Sequence, residues 1–499
     1  MSSVLTGTLL LTATGLFSQV VGFGYRIALS RLIGAETMGL YQLVMPVYSV
    51  LLSLTAVGLT VAVATLSARR YALGDLGGVR LTLRRALGCF FLLALPLGAL
   101  VIAASDPISV YLLGDARTRL GIVLLVPCVV LTGVENLHKH CFYGMGQVRP
   151  PAASETAEQL VRAGAVLTLL VVLLPQSEEG AVGLIVLGMV LCEICSAVTL
   201  TLLLRRFWRR EGPAAPKQTV TRRQLLSIAL PVGGTSLLGT LLGAANSVLI
   251  PARLVAGGTD PARAMAGFGV LCGMTLPLLA LPTGFIGALC LVMVPDLARR
   301  TARGDRRAAG GFLDRVLSAT SLLMAPAMAL LAVVGPTVGA ALFRDSRVGE
   351  YILPLAAGTL LGCWQSVLGG ALNGLGLQGR GARNAIASDA VQLVCTWALV
   401  PQWGLGGFVL GFVLSGLTGA GLNLISVLRA AGLSPRWFGW FVRPVLSAVF
   451  MALWCALFFR VLLGAGCPAG WACALCALLG LVLYAAALLA QGISYEIKQ

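Results

Sequence analysis

Apolar residues run along this chain in long stretches separated by short polar breaks. The stretches lie at about 4–24, 41–66, 86–104, 119–142, 153–174, 181–204, 225–252, 267–295, 313–335, 350–372, 384–401, 406–428, 441–463 and 470–491. A helix needs about 20 residues to cross a hydrocarbon core about 30 Å thick, and these runs are of that order. They lack the strict alternation of apolar and polar residues that marks the strands of an outer-membrane barrel. The pattern therefore predicts an all-α polytopic membrane protein of about 14 transmembrane helices. No Lys or Arg precedes the first run, which continues to about Gly24, so it is expected to be a span and not a cleaved signal.

Composition sharpens the picture. Of 499 residues, 58% are hydrophobic and 11% charged, and the mean hydropathy is +0.92. A soluble fold cannot hide that much apolar surface, which excludes a soluble enzyme, a disordered regulator and a nucleic-acid binder. The net charge of +17 is a topology signal. Of the 36 basic residues, 26 fall in alternate loops on one side, among them Arg69, Arg70, Arg205, Arg206, Lys217, Arg299, Arg300 and Lys498. The positive-inside rule puts that side and both termini in the cytoplasm of an inner, cytoplasmic membrane, where the basic loops meet anionic membrane lipids. Most of the 13 cysteines lie in apolar runs and read as small buried side chains. Cys192–Cys195 and Cys473–Cys476 have CxxC spacing, but no second pair stands at zinc spacing, so no metal or redox role is assigned.

The chain repeats itself. Ala68-Arg-Arg-Tyr-Ala-Leu-Gly-Asp75 recurs as Ala298-Arg-Arg-Thr-Ala-Arg-Gly-Asp305, and Tyr143-Gly-Met-Gly146 as Asn373-Gly-Leu-Gly376, both at an offset of 230. Ser154-Glu155 with Gln159 resembles Ser388-Asp389 with Gln392, and Ser30-Arg-Leu-Ile33 resembles Ala252-Arg-Leu-Val255. The offset spans six helices, an even number, so the halves insert in the same orientation. The expected organisation is a first lobe at 1–204, a basic cytoplasmic linker at 205–224 with Gly212, Pro213 and Pro216, a second lobe at 225–429, and two additional helices at 430–499. The 61 glycines and the helix-interior prolines Pro127, Pro231, Pro277, Pro282 and Pro326 serve close helix packing, or hinges.

Charges inside spans are costly and mark candidate function. Arg26 and Arg31 lie near the outer end of the first helix and are either snorkelling anchors or an anion clamp, since guanidinium forks match phosphate oxygens. Glu158 and Arg162, four apart, share one helix face with Glu155 close by. That stripe is either a packing ion pair or the lining of a cavity that binds a substrate or a coupling cation. Glu135, Asn136, His138, Lys139, Glu193, Asn246, Asp389 and the neutral Gln159 and Gln392 complete the in-span polar set. His138, Lys139 and His140 read as a basic interfacial cluster. No HExxH, GxSxG or Walker pattern is present, which points away from an enzyme or an ATP-driven pump.

The stretch Leu16-Phe-Ser-Gln-Val-Val-Gly-Phe-Gly-Tyr-Arg-Ile-Ala-Leu-Ser-Arg-Leu-Ile-Gly-Ala-Glu-Thr-Met-Gly-Leu-Tyr-Gln42 resembles the start of the stage V sporulation protein B group, with Pro46-Val-Tyr48, Ala56-Val-Gly-Leu-Thr-Val-Ala62 and Gly144…Pro151…Glu158-Gln159…Arg162 extending the match. That group belongs to the multidrug/oligosaccharidyl-lipid/polysaccharide exporter superfamily. The resemblance implies the fold shared by multidrug exporters and lipid II flippases, two six-helix lobes plus two helices. It implies a non-enzymatic flippase that moves a polyprenyl-pyrophosphate-linked saccharide, a peptidoglycan or polysaccharide precursor, by alternating access. It makes Arg26, Arg31 and Arg162 the cavity cations, with Gln19, Tyr25, Glu158, Gln159 and Gln392 as further substrate-binding residues. Gln19 and Tyr25 stand where other lipid II flippases tend to carry arginine. Glu135, Glu155, Glu158 and Asp389 are the candidates for ion coupling. No cofactor is expected, and the drive is membrane potential, H+ or Na+. The drug antiporters of the superfamily tend to place a carboxylate in the first helix, whereas segment 4–24 has Thr6, Thr8, Thr12, Thr14, Ser18 and Gln19 and no acid, which favours an anionic substrate. The alternatives are a multidrug or cation antiporter, and a non-transporting partner of envelope-synthesis enzymes whose basic loops are docking surfaces.

Overall fold

The computed structural model describes residues 2–211, 221–303, 306–432 and 434–491. Part of the expected linker, 212–220 with Lys217, and the end of the chain with Lys498 lie outside the described residues. The described chain is a succession of helices: α1 (Ser2–Leu52), α2 (Gly58–Ala72), α3 (Leu76–Ala103), α4 (Arg119–Gly144), α5 (Arg149–Leu173), α6 (Glu178–Glu211), α7 (Arg222–Ala256), α8 (Pro261–Phe268), α9 (Gly284–Ala302), α10 (Arg306–Phe343), α11 (Ile352–Gly374), α12 (Gln378–Trp403), α13 (Leu405–Ala431), α14 (Arg443–Gly464) and α15 (Ala469–Ala490). Within the described residues, 12 helices are long and apolar enough to cross a membrane.

The count of about 14 agrees once two features are considered. The first span, Thr12–Ala72, has 61 residues, about three times what one crossing takes and ample for two, and bends inside α1 at Gly34, whose φ is 75° and ψ 179°. That region of backbone space is open to glycine almost alone. The helix expected to end at 24 therefore runs on to the Gly34 break and takes in Arg26 and Arg31. Helix α12, with 26 residues, falls outside the dozen because it carries a polar stripe.

Side chains sort as a bilayer dictates. Leu92 is 70% exposed and Leu481 66%, positions that water would penalise and lipid tails accept. Polar groups turn inward instead, and close helix contact depends on small residues: a Cβ on Gly133 of α4 would collide with the Phe90 ring of α3.

The chain divides into two compact units. Unit 1 comprises 1–252 and 260–269, and unit 2 comprises 253–259 and 270–499. In unit 1, α4, α5 and α6 pack on one another and on α1; in unit 2, α11, α12 and α13 pack on one another. The repeat is written in the backbone. Residues with positive φ pair at an offset of 230: Gly114 with Arg344, Gly146 with Gly376, Leu174 with Gly404. Asp115 and Asp345 each accept a hydrogen bond from the backbone N–H two residues on, at 3.0 Å, and each holds that residue's guanidinium. Because this offset brackets α5 and α12 at both ends, Glu158 corresponds to Ser388 and Arg162 to Gln392. The sequence pairing of Ser154-Glu155 with Ser388-Asp389 is one helical turn out.

A buried ionic cluster as candidate functional site

Three helices of unit 1 each contribute one polar seam. On α4, Glu135 and Lys139 are four apart; on α5, Ser154, Glu158 and Arg162 repeat every fourth residue; on α6, Glu193 and Ser196 lie a turn apart. Lys139 is the centre. Its Nζ lies 2.8 Å from Glu135 Oε1 and 3.1 Å from Glu158 Oε2. The other oxygen of Glu158 meets Arg162 at 2.5 Å, and the same guanidinium reaches toward Glu193 Oε1 at 3.5 Å. Ser196 donates to Glu135 and exchanges a 2.9 Å hydrogen bond with Ser154. The Cys192 thiol lies 3.4 Å from the backbone carbonyl of Glu158. Glu135 and Glu193 are 1% exposed and Glu158 7%, so the three carboxylates are closed to water together with Lys139, while Arg162 is half-buried.

This arrangement corrects one reading. Lys139 is not at a cytoplasmic loop but inside α4 and buried, because one carboxylate a turn back on α4 and another from α5 need its charge more than water does. His138 and His140 turn their Nδ1 atoms to the carbonyls of Val134 and Asn136 one turn back.

Helix α1 closes the fourth side. Tyr25 is half-buried, lies in the field of Arg162 and Arg26, and its buried hydroxyl has no partner among the described residues. The amide oxygen of Gln159 faces Gly22. Tyr41 reaches Met189 of α6, and Tyr48 donates to Thr132 of α4 at 3.1 Å. Arg26 is half-buried and, among the described residues, joins no carboxylate. Arg31 is exposed, and Gln19 is half-buried on the same helix.

The structure thus gathers Tyr25, Gln159, Glu135, Glu158 and Arg162 into unit 1 and leaves Glu155 half-buried near Tyr143. Gln392 and Asp389 belong to unit 2. Gln392 uses its amide within the helix packing: Nε2 meets Thr396 at 3.2 Å and Oε1 accepts from Ser415 at 3.2 Å. Two members of the cluster, Lys139 and Glu193, are absent from the site expected from sequence. For Glu193 the signal is the 230 offset, since unit 2 has a neutral counterpart of the cluster; Lys139 answers to Gly369, and the offset does not find it. Glu135, Glu158, Arg162, Glu193 and Ser196 answer to Gln365, Ser388, Gln392, Asn423 and Ser426. There Asn384 donates to Asn423 at 3.0 Å and to Ser426 at 3.2 Å, and Asn423 donates to the Gln365 carbonyl at 3.1 Å.

Among the described residues, this is a helical, multi-pass membrane protein of two units with a charge cluster inside one of them. Residues 4–299 match the family model described as polysaccharide biosynthesis protein, and the chain belongs to that family. It is 26% identical over 440 residues to the stage V sporulation protein B of Bacillus subtilis (strain 168), covering 86% of this chain and 83% of the relative. Its fold is similar to that of the lipid II flippase MurJ in an inward closed conformation, with a TM-score of 0.75 and 13% identity over 98% of this chain and 100% of that one. It is also similar to an inward-facing multidrug resistance MATE family transporter of the MOP superfamily, with a TM-score of 0.65 and 13% identity over 86% of this chain and 100% of that one.

Proposed function

We propose that this protein is a flippase that moves a polyprenyl-pyrophosphate-linked saccharide across the cytoplasmic membrane by alternating access, without a covalent step. The observation that carries the reading is the family match over residues 4–299, which contains the whole ionic cluster and Arg26. The chemistry agrees with it. Arg26 is a permanent cation on the one helix of the cluster that has no acid between residues 4 and 24. The unpaired Tyr25 hydroxyl stands beside it as a donor for an anionic oxygen. Arg26 is the main pyrophosphate ligand, with Arg31 near it on α1. Arg162, held by Glu158, supplies positive field from behind. Gln19 and Gln159 are the neutral groups for sugar. Both termini and the basic loops lie in the cytoplasm, and the lobes are those of the repeat, 1–204 and 225–429.

Three buried carboxylates favour one second reading, an antiporter of cationic drugs. Native mass spectrometry of the purified protein with polyprenyl-pyrophosphate saccharide and with cationic drugs separates the two. The flippase reading expects selective retention of the pyrophosphate lipid, weakened in Arg26→Ala. Retention of drugs without lipid selectivity contradicts it, and binding of neither favours a non-transporting partner of envelope-synthesis enzymes.

A further inference from the structure

The cluster holds three carboxyl groups and two cations, and at this depth an uncompensated negative charge is the least tolerable arrangement. Glu135 faces both Glu158 and Glu193, and Glu193 is the carboxyl group held least, with its cation at 3.5 Å against 2.8 Å for Glu135 and 2.5 Å for Glu158. Two carboxylates that close do not both stay ionised, and a proton between them is the usual resolution. Glu193 Oε2 is buried and has no hydrogen-bond partner among the described residues.

A metal ion fits less well. The ligand atoms of Glu158, Cys192 and Glu193 lie within 4.8 Å of one another. However, a thiol is a poor ligand for a hard alkali or alkaline-earth ion, and Arg162, 3.5 Å from Glu193, already holds positive charge on that side. Packing does not require the charges either, since the equivalent helices of unit 2 join through Gln365, Asn384 and Asn423.

We propose that Glu193 and Glu135 hold one exchangeable proton between them, and that this proton is taken up and released in the transport cycle. The inference rests on the transport reading for its role in the cycle, and on the cluster alone for the proton. With the proton in place, Glu193 donates to Glu135 and Arg162 stays with Glu158. When it leaves to water, Glu193 becomes an anion, and the nearest cation is Arg162. Closing that 3.5 Å gap draws Arg162 away from the Tyr25 and Arg26 face of α1. Proton release is thereby tied to the strength of the anion site. The groups facing Glu193 are Glu135 and Cys128 from α4, Glu158 and Arg162 from α5, Tyr48 from α1, and Cys192 on its own helix. Of Glu158 and Glu193, which both face Glu135, Glu193 has the buried, unpartnered oxygen that can take the proton.

Infrared difference spectroscopy of the full chain in lipid, recorded on a pH jump, tests this without a transport assay. The expected result is a protonated-carboxyl band that shifts in heavy water and disappears in Glu193→Gln, with Glu193→Asp restoring it. An unchanged band in Glu193→Gln, or no such band in the wild type, overturns the proposal. Glu193→Asn copies the residue of unit 2 and serves as a second, packing-compatible variant that must also lose the band. Calorimetric binding of sodium at constant pH, lost in Glu193→Gln, would overturn it in favour of a metal cation. If the wild type shows the band but binds no pyrophosphate lipid, the flippase reading fails and the proton site stands.

Discussion

Lys139 sits between Glu135 and Glu158 at 2.8 and 3.1 Å and is the residue on which the charge balance of unit 1 turns. Removing one partner from a buried ion pair leaves its counterpart uncompensated, a loss of about 3–5 kcal/mol. Lys139→Met is expected to destabilise by about that amount in a reversible unfolding assay in detergent. Adding Glu135→Gln to it should recover a large part, because coupled neighbours are not additive. Equal stability of wild type and Lys139→Met would mean that the pairs carry little energy. Gly133, half a turn before Glu135, makes a steric prediction. Gly133→Ala drives a methyl into the Phe90 ring and should cost about 1–3 kcal/mol in the same assay. At this scale the sequence was legible in part. Glu158 and Arg162 declare their contact by spacing, whereas Lys139 hides beside two histidines and reads as interfacial. Its partners come from α4 and α5 together, and only one of those two distances is local in sequence.

Helix ends and bends belong to the next scale. Gly34 breaks α1 with a backbone conformation that a Cβ opposes, although the space around it is open. Gly34→Ala should therefore destabilise by about 1–3 kcal/mol through backbone strain alone. A melt indistinguishable from wild type would mean that the chain bends without that conformation. The paired turns at Asp115 and Asp345 make a pH prediction for unit 2. Hydrogen bonds from the Arg347 side chain and backbone hold the Asp345 carboxyl below its usual range. Its folded value is depressed, so its contribution is present above the unfolded carboxylate range and fades as pH falls through the lowered value. Asp345→Asn should thus show a flatter acid limb of melting temperature against pH, by a small margin because the pair is half exposed. Parallel limbs would contradict it. Apolar run length located nearly every helix here, since a bilayer leaves the backbone little other choice. The break at Gly34 was missed because Ile33 and Ala35 on either side continue the helical pattern.

At the scale of the whole molecule, the repeat separates packing from function. The same three helices close with charges in unit 1 and with neutral amides in unit 2, although most turns between them agree at one offset. Short motifs in the sequence gave that offset. They did not give the register of α5 against α12, which needed the positive-φ residues at both ends. Nor could the sequence distinguish Arg26, free of carboxylates among the described residues, from Arg162, bound by two. That distinction governs the account of transport. Arg26→Ala should weaken retention of pyrophosphate lipid more than Arg31→Ala, an exposed position on the same helix. Equal losses would place the ligand at the membrane surface instead.

The most direct measurement is translocation itself. The protein would be reconstituted in vesicles carrying a fluorescent polyprenyl-pyrophosphate saccharide, and the label reaching the opposite leaflet scored by an impermeant quencher. The account predicts protein-dependent flipping of the pyrophosphate lipid, lost in Arg26→Ala, and none of a neutral lipid with the same sugar. Flipping that is absent with folded protein, or that persists unchanged in Arg26→Ala, would contradict it.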